Sequence, residues 1–220
     1  MPLATVHLLR HGEVFNPDGV LYGRLPEFHL SERGRAMAVL VAEHLKQRAD
    51  DGAKLVHLVA SPLIRAQETA RPTAAALGLE ISTDARIIEA ENRFEGLKVS
   101  RNELLHPRHW AAFRNPLRPS WGEPYAAQAS RMIAAVQDAR RRAVELGGEG
   151  AEAVLVGHQL PIWVTRLSAQ GKRLWHDPRH RECTLASLTS LVFDGGTLVD
   201  VVYSEPAARL LPGGATTPGA

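Results

Sequence analysis

The hydrophobic positions of this chain form short apolar runs that alternate with longer amphipathic stretches. Three runs, at residues 5–9, 55–60 and 153–156, are almost continuously apolar. Such runs are typical of strands that are buried on both faces of a parallel sheet. Each is followed by a polar turn and the start of a predicted helix. This alternation predicts a three-layer α/β/α fold with a mostly parallel central sheet.

The first predicted helix has a recognisable start and one apolar face. Ser31 is a candidate N-cap, because its hydroxyl can accept a hydrogen bond from a free N–H of the first turn. The apolar face repeats at helical spacing and carries Met37, Leu40, Val41 and Leu45. A longer helix is predicted over about residues 125–146, ending at a Gly-Gly pair.

Prolines mark the starts of two other predicted helices. Ser61 is a candidate N-cap, followed by Pro62 at the first helical position. Pro72 is expected to break or restart that helix, since proline lacks the N–H that a helix interior uses. Another helix is predicted to begin at Pro161.

The C-terminal part predicts an antiparallel edge. Residues 187–193 and 198–203 read as a hairpin around the turn at 194–196. We expect residues 1–211 to form a single domain and the Gly/Pro/Thr-rich tail 212–220 to be disordered. Residues 97–123 lack clear periodicity and contain Trp110, Trp121 and several arginines. We interpret them as a cap-like insertion that covers a site.

Composition narrows the class of protein. The 220 residues carry a formal net charge of +2, which is too small to argue for nucleic acid or an anionic membrane as a partner. The single cysteine, Cys183, cannot form an internal disulfide or a cysteine zinc site. No apolar run approaches the roughly 18 residues of a membrane span, and the N-terminal residues do not resemble a secretory signal. We therefore expect a cytoplasmic protein.

Polar residues that could take part in catalysis or ligand binding follow the three buried strands. Arg10 and His11 end the first strand, Ser61 leads to Arg65 after the second, and His158 follows the third. In an open α/β sheet, ligands bind beyond the carboxyl ends of the strands. Two histidines and two arginines around one crevice would make a cationic pocket suited to a phosphate dianion.

These segments resemble the histidine phosphatase superfamily, in its phosphoglycerate-mutase-like family. The resemblance rests on HLLRHGE at 7–13, LSERG at 30–34, ASPLIRAQETA at 60–70, Ile-Glu at 88–89 with Glu-Gly at 95–96, and VLVGH at 154–158. It extends from about residue 5 to residue 168. It supports the three-layer fold and implies phosphoryl transfer through a covalent phosphohistidine.

The resemblance also implies a role for each matching residue. His11 would be the nucleophile, with its other ring nitrogen donating to a backbone carbonyl that sets the tautomer. Arg10, Arg65 and His158 would hold the equatorial phosphate oxygens, where charge accumulates in the transition state. Glu89 would protonate the leaving group, with Glu91 as an alternative. No metal or other cofactor is expected.

Three further positions are weaker candidates. Asn16 is assigned to phosphate binding, although the family's asparagine falls six residues after the nucleophile and Asn16 falls five after it. Gln159 stands where the family has glycine and could contact substrate. Arg24 would hold either substrate or an internal carboxylate. A metal site at His176 and His180 is disfavoured, because Pro178 prevents both from sharing a helical face.

The favoured interpretation is a metal-independent phosphomonoesterase acting on a small or medium phosphorylated molecule. The arginines of the insertion, such as Arg114 and Arg118, suggest a substrate with a second anionic group. A mutase-type phosphotransferase, a catalytically silent phospho-ligand-binding protein and a phosphoprotein phosphatase are the alternatives. No nucleic-acid or membrane partner is expected, and the sequence leaves the oligomeric state open.

Overall fold

The computed structural model describes residues 2–98 and 122–211. The predicted insertion at 97–123 therefore lies mostly outside the described residues, and the predicted disordered tail at 212–220 lies wholly outside them. In the described part of the chain, no helix has both the length and the apolar character needed to cross a membrane.

The described residues are organised around a six-stranded sheet. Its strands are β1 (Leu3–Arg10), β2 (Lys54–Ala60), β3 (Ile81–Thr83), β4 (Ala151–Gly157), β5 (Leu188–Asp194) and β6 (Thr197–Ser204). Their spatial order is β3-β2-β4-β1-β5-β6. Strands β3, β2, β4 and β1 are parallel to one another. Strand β5 is antiparallel to both β1 and β6, and β5 and β6 form the closing hairpin. This confirms the predicted mixed, mostly parallel sheet.

Helices cover both faces of the sheet. They are α1 (Glu32–Asp50), α2 (Ile64–Leu77), α3 (Tyr125–Gly147) and α4 (Gln159–Ala169). On one face, α1 and α2 bury Met37 and Ala70 against residues such as Val154. On the other, α3 and α4 bury Met132 and Ile162. The sheet is therefore apolar on both sides, which explains its nearly continuous apolar strands.

Ser31 caps α1 as predicted, and its hydroxyl accepts a 2.9 Å hydrogen bond from the Gly34 N–H. The predicted start of α2 is wrong: the helix begins at Ile64 after Leu63, and Ser61 is not its cap. Pro72 also does not interrupt α2. Buried residues on both sides of it keep the two halves packed on the sheet, which offsets the missing hydrogen bond.

Helix α4 begins two residues before the predicted start at Pro161. His158 is its N-cap residue, and Pro161 lies in the first turn. Proline is tolerated there because first-turn N–H groups have no partner inside the helix. As a consequence, His158 lies where β4 ends and α4 starts, at the carboxyl edge of the sheet.

Candidate active site

The floor of the site is built from the ends of three neighbouring strands. Arg10 pairs with Gly157 across β1 and β4, and the next N–H, that of His11, donates to the Gly157 carbonyl at 3.0 Å. The Ser61 N–H, at the end of β2, donates to Val156 at 2.9 Å. The register therefore aligns the strand ends, and the rings of His11 and His158 lie 5.2 Å apart between centroids.

His11 is buried and held in one tautomer. Its Nδ1 lies 2.7 Å from the Gly12 carbonyl oxygen, and a carbonyl can only accept, so Nδ1 carries the proton. Burial lowers the pKa of His11 well below its ordinary value, and the charges of Arg65 and Arg10 lower it further. The imidazole is therefore neutral at physiological pH, with an unprotonated Nε2. A neutral ring with a free lone pair can act as a nucleophile.

Two buried guanidinium groups flank this histidine. Arg10 Nη1 donates to the Cys183 carbonyl at 2.8 Å, and Arg65 donates through its two terminal nitrogens to the carbonyls of Gly23 and Leu25. Within residues 2–98 and 122–211, neither Nε finds a hydrogen-bond acceptor. Buried cations with unpaired N–H groups favour the binding of an anion.

His158 provides a second neutral imidazole. Its Nε2 lies 2.8 Å from the Ser61 hydroxyl, and its Nδ1 is buried without a hydrogen-bond partner in the described part of the chain. Burial, followed by the charge of Arg65, lowers the pKa of His158 well below its ordinary value. Ser61, predicted to cap a helix, instead orients this ring.

Two residues that the sequence did not single out support the nucleophile segment. Tyr22 is buried, with its ring 4.8 Å from the Arg65 guanidinium carbon and in an edge-on contact with His11. Thr69 accepts a 3.1 Å hydrogen bond from the Gly12 N–H and donates to the Arg65 carbonyl at 2.7 Å. Thr69 therefore couples the loop after His11 to the helix that carries Arg65.

The structure separates the two candidate acids by their surroundings. Burial raises the pKa of Glu89, an effect opposed by a hydrogen bond from the Ala90 N–H and by the charges of Arg65, Arg181 and Arg10. The Glu91 side chain is 72% exposed and lies 3.6 Å from Arg24. Of the two, Glu89 is therefore the carboxyl that lies near the arginines of the site, and its raised pKa lets its acid form persist to higher pH than that of an ordinary glutamate.

A pair of arginines holds the backbone of Glu89. Arg24 Nε donates to the Glu89 carbonyl at 2.7 Å, and Arg131 of α3 donates to the carbonyl of the preceding Ile88 at 2.8 Å. Both guanidinium groups also bind the carboxylate of Glu123, at 2.7–3.0 Å. Arg24 thus holds an internal carboxylate, one of the two roles predicted for it.

Comparison with protein-family models identifies the family. A sequence model of the histidine phosphatase superfamily (branch 1) matches residues 6–205. The chain belongs to this superfamily. Mycobacterium tuberculosis protein Rv0525 is 55% identical over 211 residues, which are 94% of this chain and 100% of that protein. Phosphoserine phosphatase 1 of Hydrogenobacter thermophilus is 30% identical, over 70% of this chain and 71% of its own.

Solved structures agree with the family assignment. Bacillus stearothermophilus YhfR superimposes with a TM-score of 0.73 at 24% identity, covering 94% of this chain and all of its own. Mycobacterial glucosyl-3-phosphoglycerate phosphatase gives a TM-score of 0.70 at 23% identity, covering 92% of this chain and 98% of its own. At this identity the likeness concerns the fold, and the fold is that of the histidine phosphatase superfamily.

The remaining predicted residues are engaged in local contacts in this superfamily member. Asn16 closes its own loop, with its side-chain amide exchanging hydrogen bonds with the Val20 backbone at 2.8 and 3.2 Å. Gln159 donates to the Cys183 carbonyl at 3.2 Å, the acceptor that Arg10 also uses. The assignment of Asn16 to phosphate and Gln159 to substrate stays a prediction.

The contacts of His176 argue against the disfavoured metal site. Its Nδ1 lies 2.7 Å from the Leu174 carbonyl, and its Nε2 accepts a hydrogen bond from Arg181. Both ring nitrogens are therefore engaged by the protein. Among the residues that the structure describes, no three His, Cys, Asp or Glu side chains form a group able to hold a metal ion.

The sequence analysis assigned no role at the site to Arg131, Thr69 or Tyr22. For Arg131 the sequence carries no useful signal, since α3 contains three other arginines, at 140–142, and no local pattern distinguishes Arg131 from them. Tyr22 lies two residues before Arg24 in the sequence. Because Arg24 was already a candidate, its neighbour Tyr22 could also have been predicted to lie near the site. For Ser61 the sequence predicts a helix cap, whereas its side chain contacts His158 in the structure.

Proposed function

We propose that this protein is a phosphatase that hydrolyses a small or medium phosphate monoester through a phosphohistidine intermediate on His11. The observation that carries the proposal is the neutral, oriented His11 between two buried arginines, whose Nε–H groups find no acceptor among the described residues. A nucleophile with a free lone pair and donors with unmet hydrogen bonds suit attack on a phosphoryl group.

In the first step, Nε2 of His11 attacks phosphorus and the bond from phosphorus to the leaving oxygen breaks. Arg10, Arg65 and His158 contact the equatorial oxygens, where they offset the charge of the transition state. Glu89 gives its proton to the leaving oxygen, which departs as a neutral alcohol. The raised pKa of Glu89 keeps that proton available at higher pH.

In the second step, water attacks the phosphohistidine and the P–N bond breaks. Glu89, now a carboxylate, takes a proton from the attacking water and regains its acid form. His11 returns to the neutral state with Nδ1–H still bonded to Gly12, and phosphate leaves. Protein cations and Glu89 carry the charge and proton changes of both steps.

Hydrolysis is preferred to the mutase alternative because the relatives named as enzymes above, phosphoserine phosphatase 1 and glucosyl-3-phosphoglycerate phosphatase, are both phosphatases. A mutase would keep the alcohol bound and return the phosphoryl group to another hydroxyl. A coupled assay of 3- to 2-phosphoglycerate conversion separates the two reactions. Conversion faster than phosphate release would favour the mutase.

The deciding experiment compares wild type with His11→Asn in the presence of EDTA. We expect wild type to release phosphate from p-nitrophenyl phosphate and to form an acid-labile, base-stable phosphoenzyme in a rapid quench. His11→Asn should do neither, whereas His44→Asn, which changes an exposed histidine of α1, should retain both. Full activity in His11→Asn would refute the proposed nucleophile. Phosphate binding without turnover in wild type would favour the silent binding protein.

A further inference from the structure

Arg181 lies in the segment between α4 and β5, beside the site but outside the machinery described so far. Its Nε donates to Nε2 of His176 at 2.8 Å, and its Nη1 lies 3.5 Å from the side-chain oxygen of Gln159. His176 donates its other nitrogen to the Leu174 carbonyl, so it is a neutral acceptor. These contacts orient the Arg181 guanidinium without neutralising it.

A short series of contacts joins Arg181 to the phosphate-binding arginines. Gln159, which contacts Arg181, donates to the Cys183 carbonyl at 3.2 Å, and Arg10 donates to the same oxygen at 2.8 Å. Burial lowers the pKa of Arg181, and the side chains of Tyr125 and then Glu89 oppose that shift. Arg181 therefore borders the space shared by Arg10 and the proposed acid.

The charge of Arg181 is not offset in the way that those of its neighbours are. Arg24 and Arg131 share the carboxylate of Glu123, and Arg24 also lies 3.6 Å from the carboxylate of Glu91. Among the described residues, Arg181 makes no ion pair within 4.0 Å, and its side-chain contacts are with the neutral His176 and Gln159. A partly buried cation without a counter-ion is costly, and an anionic ligand would relieve that cost.

The balance of charges in the site indicates how many negative charges such a ligand carries. Arg10, Arg65 and Arg181 bring three positive charges to the site, and Glu89 is neutral when it acts as the acid. A phosphoryl dianion offsets two of these charges. One positive charge remains, and Arg181 is the cation that connects to Arg10 only through Gln159 and the Cys183 carbonyl. The leaving group is therefore expected to carry the compensating anion.

We propose that Arg181 forms a subsite for a second anionic group, such as a carboxylate, on the leaving group of the substrate. This inference rests on the proposed phosphatase function. It assigns to a described residue the second-anion contact that the sequence suggested for arginines of the insertion. A planar guanidinium suits a carboxylate, because two parallel N–H···O bonds can form.

The test uses two esters that differ at one group. 3-Phosphoglycerate carries a carboxylate where glycerol 3-phosphate carries a hydroxymethyl group, and both have the same phosphate ester. We would measure kcat/KM for both, and their inhibition constants against p-nitrophenyl phosphate, in wild type, Arg181→Met and Arg181→Lys. Arg179→Met is the control, because Arg179 is exposed in the same segment.

Wild type should favour 3-phosphoglycerate. Arg181→Met should lose about 10–100-fold with this ester and less than about 3-fold with glycerol 3-phosphate, as expected for loss of a charged hydrogen bond. Arg181→Lys should recover part of the preference, and Arg179→Met should keep all of it. Thermal unfolding of each variant would verify that it is folded.

Equal losses with both esters would overturn the subsite, since Arg181 would then serve the transferred phosphoryl group or the local structure. No preference in wild type would overturn it as well. Failure of the phosphatase proposal gives a different result: His11→Asn would retain turnover of both esters, whatever the Arg181 variants do.

Discussion

Replacement of Glu89 by glutamine tests its proposed role as proton donor with little change in side-chain shape. The amide oxygen can still accept the 2.7 Å hydrogen bond from the Ala90 N–H, and the backbone remains held by Arg24 and Arg131. What is lost is the transferable proton. Glu91→Gln is a matched control two residues away, since its carboxylate is 72% exposed and contacts only the rim residue Arg24 among the described residues.

The size of the effect depends on the leaving group. General acid catalysis contributes roughly 10²–10⁴-fold when a poor leaving group must be protonated as it departs. We therefore expect Glu89→Gln to lower kcat/KM by about that factor for an alkyl ester such as glycerol 3-phosphate. With p-nitrophenyl phosphate the loss should be far smaller, because nitrophenolate leaves readily without a proton. Glu91→Gln should change neither substrate appreciably.

The pH dependence carries a second signature. Because burial raises the pKa of Glu89, its acid form persists to higher pH than that of an ordinary glutamate. For wild type, kcat/KM with the alkyl ester should fall as pH rises through that pKa, and Glu89→Gln should lose this limb. Steady-state phosphate release across pH 4–9 measures both effects. Equal losses with the two esters, or a larger effect of Glu91→Gln, would refute the assignment.

Three other changes test the surroundings of the site. Arg131→Met removes hydrogen bonds that hold the backbone of the Glu89 segment. In the same two-ester assay it should lower turnover of the alkyl ester roughly 10–100-fold and that of p-nitrophenyl phosphate less. Equal effects on the two esters would contradict a role of Arg131 in positioning Glu89. Glu152→Gln keeps an acceptor for His7 but removes the negative charge that binds His7 and Arg48, and it should cost about 2 kcal/mol of unfolding free energy at pH 7 by urea denaturation. Because the folded-state pKa of Glu152 is lowered, its stabilisation is present above the ordinary glutamate pKa, and the difference should shrink as pH falls through the folded-state value. Gly34→Ala would place a Cβ 1.9 Å from the Glu13 carbonyl oxygen, so it should lower the melting temperature and the activity together. An unchanged melting temperature would contradict the close packing of α1 against the segment after His11.

Local sequence patterns were sufficient for most of the fold. Buried parallel strands need continuous apolar runs, so the positions of β1, β2 and β4 could be predicted from a few neighbouring residues each. Because the carboxyl ends of parallel strands share one edge, the residues after those runs could also be expected to meet. The structure does bring Arg10, His11, Arg65 and His158 together.

Pro72 is a position where local sequence rules give the wrong prediction. Its missing N–H predicts a break, but the packing of α2 on the sheet decides the outcome. That packing involves residues from distant segments, including those of α1 and β4. Ser61 is a second example, since a hydroxyl at a helix start suits a cap, yet its partner is His158, 97 residues away.

The surroundings that distinguish Glu89 from Glu91, and the contacts of the supporting arginines, depended on the tertiary structure in the same way. Glu89 and Glu91 are both glutamates that the sequence alone does not distinguish. In the structure Glu89 lies near buried arginines, whereas Glu91 is exposed to solvent. Arg131 and Arg181 acquire significance only from the distant carbonyls, carboxylates and rings that surround them. Sequence determined which strand ends carry the reactive residues, because that information is local. Burial and charge balance involve groups far apart along the chain, so only the folded structure could decide them.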